Sequence, residues 1–565
     1  IGSNIIQTMA DASTEKFAPQ LEALDLTAED RHNLLPFFTN LDKPVFAVPF
    51  LPPEVIGALC SRTSRAKDDL RLIFLNEFLK PFLVEKTEYA GHISALIEFL
   101  HKHPLELIFA NPKGREFYIK WLAQYGDDSI AQMAGTHLIY SALSQVAIKH
   151  LEDMRVGLAP IEKSTRYVDY GSKVAGKYRY YTDPTLADIG LREEYEKIMD
   201  NLFETYVTVA GKYLEVLKKQ FPEEKEVVLK TKAYDTVRGL LPTSTLSQVS
   251  FFGNGQAFEY MVSRCLEHNL GEIRWAGDAA LAELNKVVPA FLRRIDSEPS
   301  RLYRKYLSER GKRLRQSLME AGWKREIKPA EPGVRLLDYD RDGEDKVMAG
   351  LIYPETHESF TNVLDKVKKT STADKEKILA SILHDRNARW YKIPRAFENA
   401  HLRFEIVMNI GAWRDIHRHR MHTQFREKWS VYHGYDVPAE LIETKLDQTY
   451  RQAIDKVGGL YEKIAAHDAE LAQYAVTLVH RLRFIQYQNL RAFFWESELR
   501  TIAQGHPDYR KVEQEKVRLV KKIYPLLGKY ILADMNDYSF ARRETQSQIE
   551  QKEKELEDYF SQKAR

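Results

Sequence analysis

Two short polar clusters, set far apart in one chain, constrain this fold most, because each follows a similar approach sequence and neither repeats the other's content. The run EKSTRY at 162–167 lies downstream of AQMAGTHL at 131–138, and HRHRMH at 417–422 lies downstream of FENAHL at 397–402. Identity between the halves is low, so the duplication is inferred from motif order and not from periodicity. A chain that carries one plan twice is expected to fold as two related units. Its 565 residues agree, since about 100–200 residues per domain predicts two to four.

The 83 Lys+Arg nearly balance the 81 Asp+Glu, so the whole molecule has no strong attraction for nucleic acid or an anionic membrane, and anion binding must be local. Two cysteines, Cys60 and Cys265, are too few for a disulfide framework or a cysteine-based zinc site. They read as buried small hydrophobes in a reducing cytoplasm. No apolar run reaches the roughly 18 residues of a membrane helix, and IGSNIIQTMADASTEKF lacks a signal peptide's basic start and hydrophobic middle. A soluble cytoplasmic protein is the expectation.

Along the chain, residues 1–40 read as a leader, 41–323 as a first unit, 324–540 as a second, and 541–565 as a charged, solvated tail. Three-and-four apolar spacing predicts helices near 90–125, 187–220, 256–294 and 301–322, and long charged helices over 438–466, 468–503 and 507–532. VRLLDYD and VMAGLIY read as short strands around Arg341, Asp342 and Gly343. In His401–Met408, Leu402, Phe404, Ile406 and Met408 alternate with His401, Arg403 and Glu405, the period of a half-buried strand.

Arg414, His417, Arg418, His419, Arg420 and His422 crowd positive or potentially positive groups into two or three helical turns. Such crowding favours an anionic counter-charge, and guanidinium forks suit phosphates. A solvated basic face is the competing reading. No metal centre is expected, because His417, His419 and His422 lack a recognised carboxylate-and-histidine spacing. Glu162, Ser164, Arg166 and Tyr167 present an acceptor, a hydroxyl, a cation and a ring on nearly alternate positions, as a loop around a nucleotide would, although ordinary loops also assemble such sets. In QNLRAFFWESELRT, Asn489, Arg491 and Arg500 interrupt an aromatic segment containing Phe493, Phe494 and Trp495. Polar groups beside a buried face need partners, which a ligand or intramolecular salt bridges would supply.

In order and spacing these segments resemble the flavin-dependent thymidylate synthases, whose signature couples an Arg-His-Arg triplet to a downstream Glu-x-Ser-x-Arg-Tyr. Arg418, His419 and Arg420 match the triplet, with Phe397 and Glu398 before it and Asn489, Arg491 and Arg500 after it; the substrate loop is replaced by Arg426, Glu427, Lys428, Trp429 and Ser430. The first half is the converse. Glu162, Ser164, Arg166 and Tyr167 match the substrate loop, Met154, Arg155 and Val156 stand in the triplet's place, Arg238 and Arg264 fall where the family has nucleotide-binding arginines, and Asn254 and Gln256 partly match an Asn-x-Arg flavin element.

The resemblance implies an α+β, helix-rich fold of two tandem units, each a small mixed sheet with long helices. It assigns Glu398, Arg418, His419, Arg420, Asn489, Arg491 and Arg500 to FAD, and Glu162, Ser164, Arg166, Tyr167, Arg238 and Arg264 to a nucleotide, with Arg238 and Arg166 catalytic. The implied activity is reductive methylation of dUMP or a related pyrimidine nucleotide at a composite site, with methylenetetrahydrofolate and NADPH as possible co-substrates. The implied assembly is a homodimer mimicking the family tetramer. The alternatives are a flavin enzyme with another nucleotide or a nucleic-acid substrate, and a catalytically silent nucleotide-binding scaffold. No GxGxxG fingerprint marks a built-in Rossmann module.

Overall fold

The computed structural model describes residues 14–538, apart from residues 21, 85–87, most of 104–127, 175 and 324–325, together with parts of 551–561. The chain forms two compact units, and each half of the sequence lends a segment to the other half's unit. Unit 1 comprises Ile1–Thr208, Leu240–Glu326 and Arg451–Val476, and unit 2 comprises Val209–Gly239, Ile327–Tyr450 and Thr477–Arg565.

Unit 1 is built on strands β1 (Val45–Val48), β2 (Gly135–Ser144), β3 (Leu158–Glu162) and β4 (Leu246–Asn254), in the order β1-β2-β4-β3. Helix α1 (Gln145–Glu152) leaves β2; α2 (Gly255–Leu266), α3 (Gly271–Leu284) and α4 (Glu298–Glu320) follow β4. The central strands pair Gly135 with Asn254 and Leu138 with Phe251. Leu138, Ile139, Tyr140, Val249 and Phe251 are wholly buried, as expected for strands covered on both faces. An aromatic cluster of Phe37, Phe38, Phe46 and Phe74 fills a core beside β1.

Unit 2 repeats the plan with β5 (Gly333–Tyr339), β6 (His401–Asn409), β7 (Thr423–Arg426) and β8 (Arg481–Asn489), ordered β5-β6-β8-β7. Helix α5 (Ile410–His417) leaves β6; α6 (Leu490–Arg500) and α7 (Pro507–Ile523) follow β8. Every strand pairing in both sheets is antiparallel, narrower than the mixed sheet the resemblance implied.

The repeat is clearest where strands become helices. Ser144 Oγ accepts from Ala147 N–H (3.1 Å), Asn254 Oδ1 from Ala257 N–H (2.8 Å), Asn409 Oδ1 from Ala412 N–H (2.8 Å) and Asn489 Oδ1 from Ala492 N–H (2.8 Å). These side chains satisfy helix N–H groups that would otherwise lack partners, each cap being worth about 1 kcal/mol. In each unit a later helix, α3 in unit 1 and α7 in unit 2, braces the first cap. Glu272 accepts from Ser144 N–H (2.8 Å) and its hydroxyl (2.6 Å), and Asp508 accepts from the Asn409 amide (2.8 Å).

Two sequence expectations of element type need correction, and the predicted helices over 438–466 and 507–532 are each broken in two. Residues 468–503 do not form one helix, because β8 occupies Arg481–Asn489. Its inward positions are Leu482, Phe484, Gln486 and Gln488, and the two buried glutamines obscured a period of two. VMAGLI is helical, within Gly343–Ile352, where Glu344 and Asp345 favour the first turn, and Tyr353 opens the short 3-10 turn that follows. Past His103, the helical expectation for 90–125 lies largely outside the described residues. Cys60 and Cys265 are buried free thiols. No described helix is long and apolar enough to cross a membrane.

Candidate functional site

Helix α5 ends at His417, so Arg418, His419 and Arg420 occupy the turn before β7. Arg418 and Arg420 are exposed, while His417 and His422 are buried. Asp415, one turn before Arg418, lies 3.9 Å from its guanidinium. The other oxygen of Asp415 lies 3.9 Å from Arg238, which is buried and comes from the first half of the sequence. The segment Val209–Gly239 belongs to unit 2, so this contact is internal to that unit. Sequence reasoning placed Arg238 and Arg418 at one site but missed Asp415, although its i, i+3 relation to Arg418 was legible.

His419 is held from the side. Arg500, on the last turn of α6, donates from Nε to His419 Nε2 at 2.7 Å. The accepting nitrogen carries no proton, so a neutral His419 has its proton on Nδ1. Burial lowers its pKa to about 3; Arg500, His422 and Lys516 act the same way, and Glu496 opposes them.

Behind the turn is a buried polar network. The Gln486 amide donates to Glu496 (2.7 Å) and to His422 Nδ1 (2.9 Å), and Lys516 pairs with Glu513 (2.9 Å) and Glu496 (3.5 Å). Burial drives the Glu496 carboxyl up, but Lys516, His422 and His419 outweigh it and hold the carboxyl well below its ordinary value. Burial lifts Glu513 to about 7. Sequence reasoning missed Glu496, Glu513 and Lys516 because each sits in an ordinary charged-helix pattern.

Other predicted flavin residues have internal partners. Arg491 donates to Glu398 at 2.7 Å and to the Ile393 carbonyl at 3.1 Å, and Asn489 caps α6. Beside the turn, Asp508 is pushed up by burial, yet His506, the Asn409 hydrogen bond and Arg238 bring it below its ordinary value.

The substrate-loop residues lie in unit 1. Glu162, at the end of β3, is buried and accepts from Lys149 at 2.8 Å, and Glu152 shares that lysine at 2.6 Å. Ser164 Oγ accepts from Arg166 N–H at 3.2 Å, Arg166 is buried, and the exposed Tyr167 ring lies 5.6 Å from the Arg65 guanidinium. Burial lowers the pKa of Lys163, between them, to about 8; its ammonium donates to the Lys67 and Asp68 carbonyls, both at 2.9 Å. Where unit 2 has Arg418–Arg420, unit 1 has Met154, Arg155 and Val156, with Arg155 at φ +49° and Val156 exposed. Arg264, on α2, is exposed and donates to the Tyr260 hydroxyl at 3.2 Å.

Two related units, each with a capped strand-to-helix transition leading to a polar turn, define a duplicated fold with a basic cluster in one copy. The thymidylate synthase complementing protein family matches the chain twice, over residues 84–290 and 335–526. The chain belongs to that family, as a fused and diverged tandem pair. A UPF0159 protein of Chlamydia pneumoniae is 35% identical over 531 residues, covering 92% of this chain and 97% of its own length. A UPF0159 protein of Thermoplasma acidophilum is 28% identical over 528 residues, covering 86% and 96%. The UMP/dUMP methylase PolB of Streptomyces cacaoi, in a crystal structure with 5-Br dUMP, matches at a TM-score of 0.29 and 13% identity, covering 36% of this chain and 96% of its own.

Proposed function

We propose that the chain is a flavin-dependent, thymidylate synthase-like enzyme that methylates a pyrimidine nucleotide, dUMP or a close relative, at a site fed by both halves of the sequence. The observation that carries this reading is Arg238: a buried first-half arginine that shares Asp415 with Arg418 of the second half. A buried cation beside an exposed basic turn is suited to a nucleotide whose base reaches inward and whose phosphates stay near solvent.

The donor set fits FAD. Arg418 and Arg420 are exposed forks for a diphosphate, and the proton on His419 Nδ1 makes it a neutral donor to a heterocycle. When bound, the flavin would supply the hydride chemistry, with methylenetetrahydrofolate as carbon source and NADPH as reductant. The protein's part is positioning and charge. Arg238 polarises the pyrimidine and Arg500 fixes the His419 ring; within unit 1, the loop of Glu162, Ser164, Arg166 and Tyr167 is proposed to contact nucleotide. A homodimer remains the proposed assembly, checked by the mass of the purified protein in solution.

The silent-scaffold reading draws on Arg491 and Glu398, which satisfy each other without a ligand. One set of measurements separates the two readings. The enzyme purifies with absorbance near about 450 nm, a property of oxidised flavin, is stabilised thermally by dUMP, and restores growth to a thymidine-requiring strain, with Arg238→Ala losing the rescue while keeping its fold. Colourless protein with no thermal response to FAD or dUMP establishes the scaffold. Bound flavin without rescue establishes a different substrate.

A further inference from the structure

We propose that unit 1 carries a second, non-catalytic site for a nucleoside 5′-phosphate, lying between α2 and α4 and distinct from the Arg418 turn. A cavity of about 360 Å³ opens there, lined by His150, Tyr260, Arg264 and His268 on one side and by Tyr303, Arg310 and Arg315 of α4 on the other. That volume lies at the small-ligand end of the usual range of about 300–1,000 Å³.

The lining is rich in donors. Its one carboxylate, Glu267, faces Arg304 at 3.7 Å, and among the described residues no carboxylate pairs with Arg264, Arg310 or Arg315. His268 Nδ1 accepts from Leu270 N–H at 3.1 Å, so the ring's proton is carried on Nε2. Three guanidiniums without described counter-charges, in a chain whose charges otherwise nearly balance, select an anion, and phosphate matches the fork. The half-exposed rings of Tyr260 and Tyr303 add stacking faces, which inorganic phosphate would not use. The Arg264 guanidinium sits 5.7 Å from the Tyr260 ring centre as well as bonding its hydroxyl, which pre-orients the fork.

Two observations separate this cavity from the duplicated site. Helix α4 (Glu298–Glu320) falls between the two family matches, which end at 290 and resume at 335, so one wall is an addition to the common unit. Arg264 is also not the positional equivalent of Arg500. Arg500 stands eleven residues after the cap Asn489, whereas eleven residues after Asn254 is Cys265, which is buried. One residue on a helix turns a side chain by about 100°, and Arg264 faces the Tyr260 side, toward α4.

The test is equilibrium dialysis of the full chain with labelled dUMP, UMP, AMP and GMP, with inorganic phosphate and a short single-stranded oligonucleotide as comparison ligands. Arg310 and Arg315 are exposed, so Arg310→Ala/Arg315→Ala keeps the fold. We expect one nucleotide site per chain to weaken by about tenfold or more in that variant, the size of a lost charge-assisted contact, with flavin absorbance and turnover unchanged. Arg418→Ala/Arg420→Ala should leave that site intact, so it remains measurable even if the Arg418 turn proves to bind no nucleotide. Unchanged nucleotide binding in the α4 variant overturns the proposal. Equal affinity for inorganic phosphate, or tighter binding of the oligonucleotide than of mononucleotides, also overturns it.

Discussion

Replacing His419 with Asn should remove a pH dependence of stability whose sign and size follow from the ring's environment. His419 titrates near about 3 in the folded chain because burial, Arg500, His422 and Lys516 disfavour the imidazolium more than Glu496 favours it, against 6.5 for a free ring. As pH falls below 6.5 the unfolded chain takes up a proton that the folded chain refuses, so stability is present above 6.5 and is lost on acidification toward 3. The slope is about 1.4 kcal/mol per pH unit, which makes roughly 2 kcal/mol between pH 6.5 and pH 5. His480, lowered by burial to about 4, adds a loss of the same sign. Glu513, raised by burial to about 7, adds one of opposite sign. Both cancel when wild type and His419→Asn are compared by urea unfolding at each pH from 7.5 to 5. The wild type should lose about 2 kcal/mol more than the variant over that range. A flat difference would refute the argument, and a difference of opposite sign would mean that Glu496 charges the ring and that His419 meets its ligand as a cation.

Two further predictions concern buried charge. Lys149 has no exposed side-chain surface and serves both Glu152 and Glu162, so Lys149→Met removes the ammonium that two buried carboxylates share and should cost about 3–5 kcal/mol in urea unfolding, part of it restored by adding Glu152→Gln and Glu162→Gln; a loss under about 1 kcal/mol would show that the triad does not stabilise the fold. Asp415→Asn removes the carboxylate between Arg238 and Arg418, and should lower stability by about 1–3 kcal/mol while tightening the binding of a phosphate-bearing ligand at the Arg418 turn; weaker phosphate binding would show that Asp415 orients the arginines and does not compete for them.

The duplication was legible in motif order because polar turns after strands tolerate little change in position, and β6 was legible because Leu402, Phe404 and Ile406 alternate without polar interruption. β8 was hidden because Gln486 and Gln488 face inward as hydrogen-bonding members of a buried network, which hydropathy scores as exposure. Glu162 was recognised by its motif, yet its bond to Lys149 was invisible, because thirteen residues and a strand separate the partners along the chain. The segment exchange was beyond any linear reading. Nothing in VRGLLP says that Arg238 packs in unit 2 while Leu240 packs in unit 1.

That exchange gives the split signature a physical logic. Arg238 stands sixteen residues before the cap Asn254, and the residue sixteen before the equivalent cap Asn489 is Gln473. Gln473 lies in Arg451–Val476, the segment that second-half sequence contributes to unit 1, where its amide donates to Glu470 at 2.9 Å. Each unit therefore receives this position from the opposite half, and the two versions differ as their destinations do. The unit that keeps Arg418, His419 and Arg420 receives an arginine. The unit whose turn reads Met154, Arg155 and Val156 receives a neutral amide. Independent drift of two copies would have lost arginines without regard to where the segments end up; unit 1 lacks both the Arg-His-Arg turn and this arginine and unit 2 keeps both, while the Glu-x-Ser-x-Arg-Tyr loop survives in unit 1 alone, a division in keeping with the proposed function. Restoring arginine at Gln473 should accordingly create no second catalytic site in unit 1, because the Arg-His-Arg turn is also missing there; a measured doubling of nucleotide turnover in Gln473→Arg would break this account.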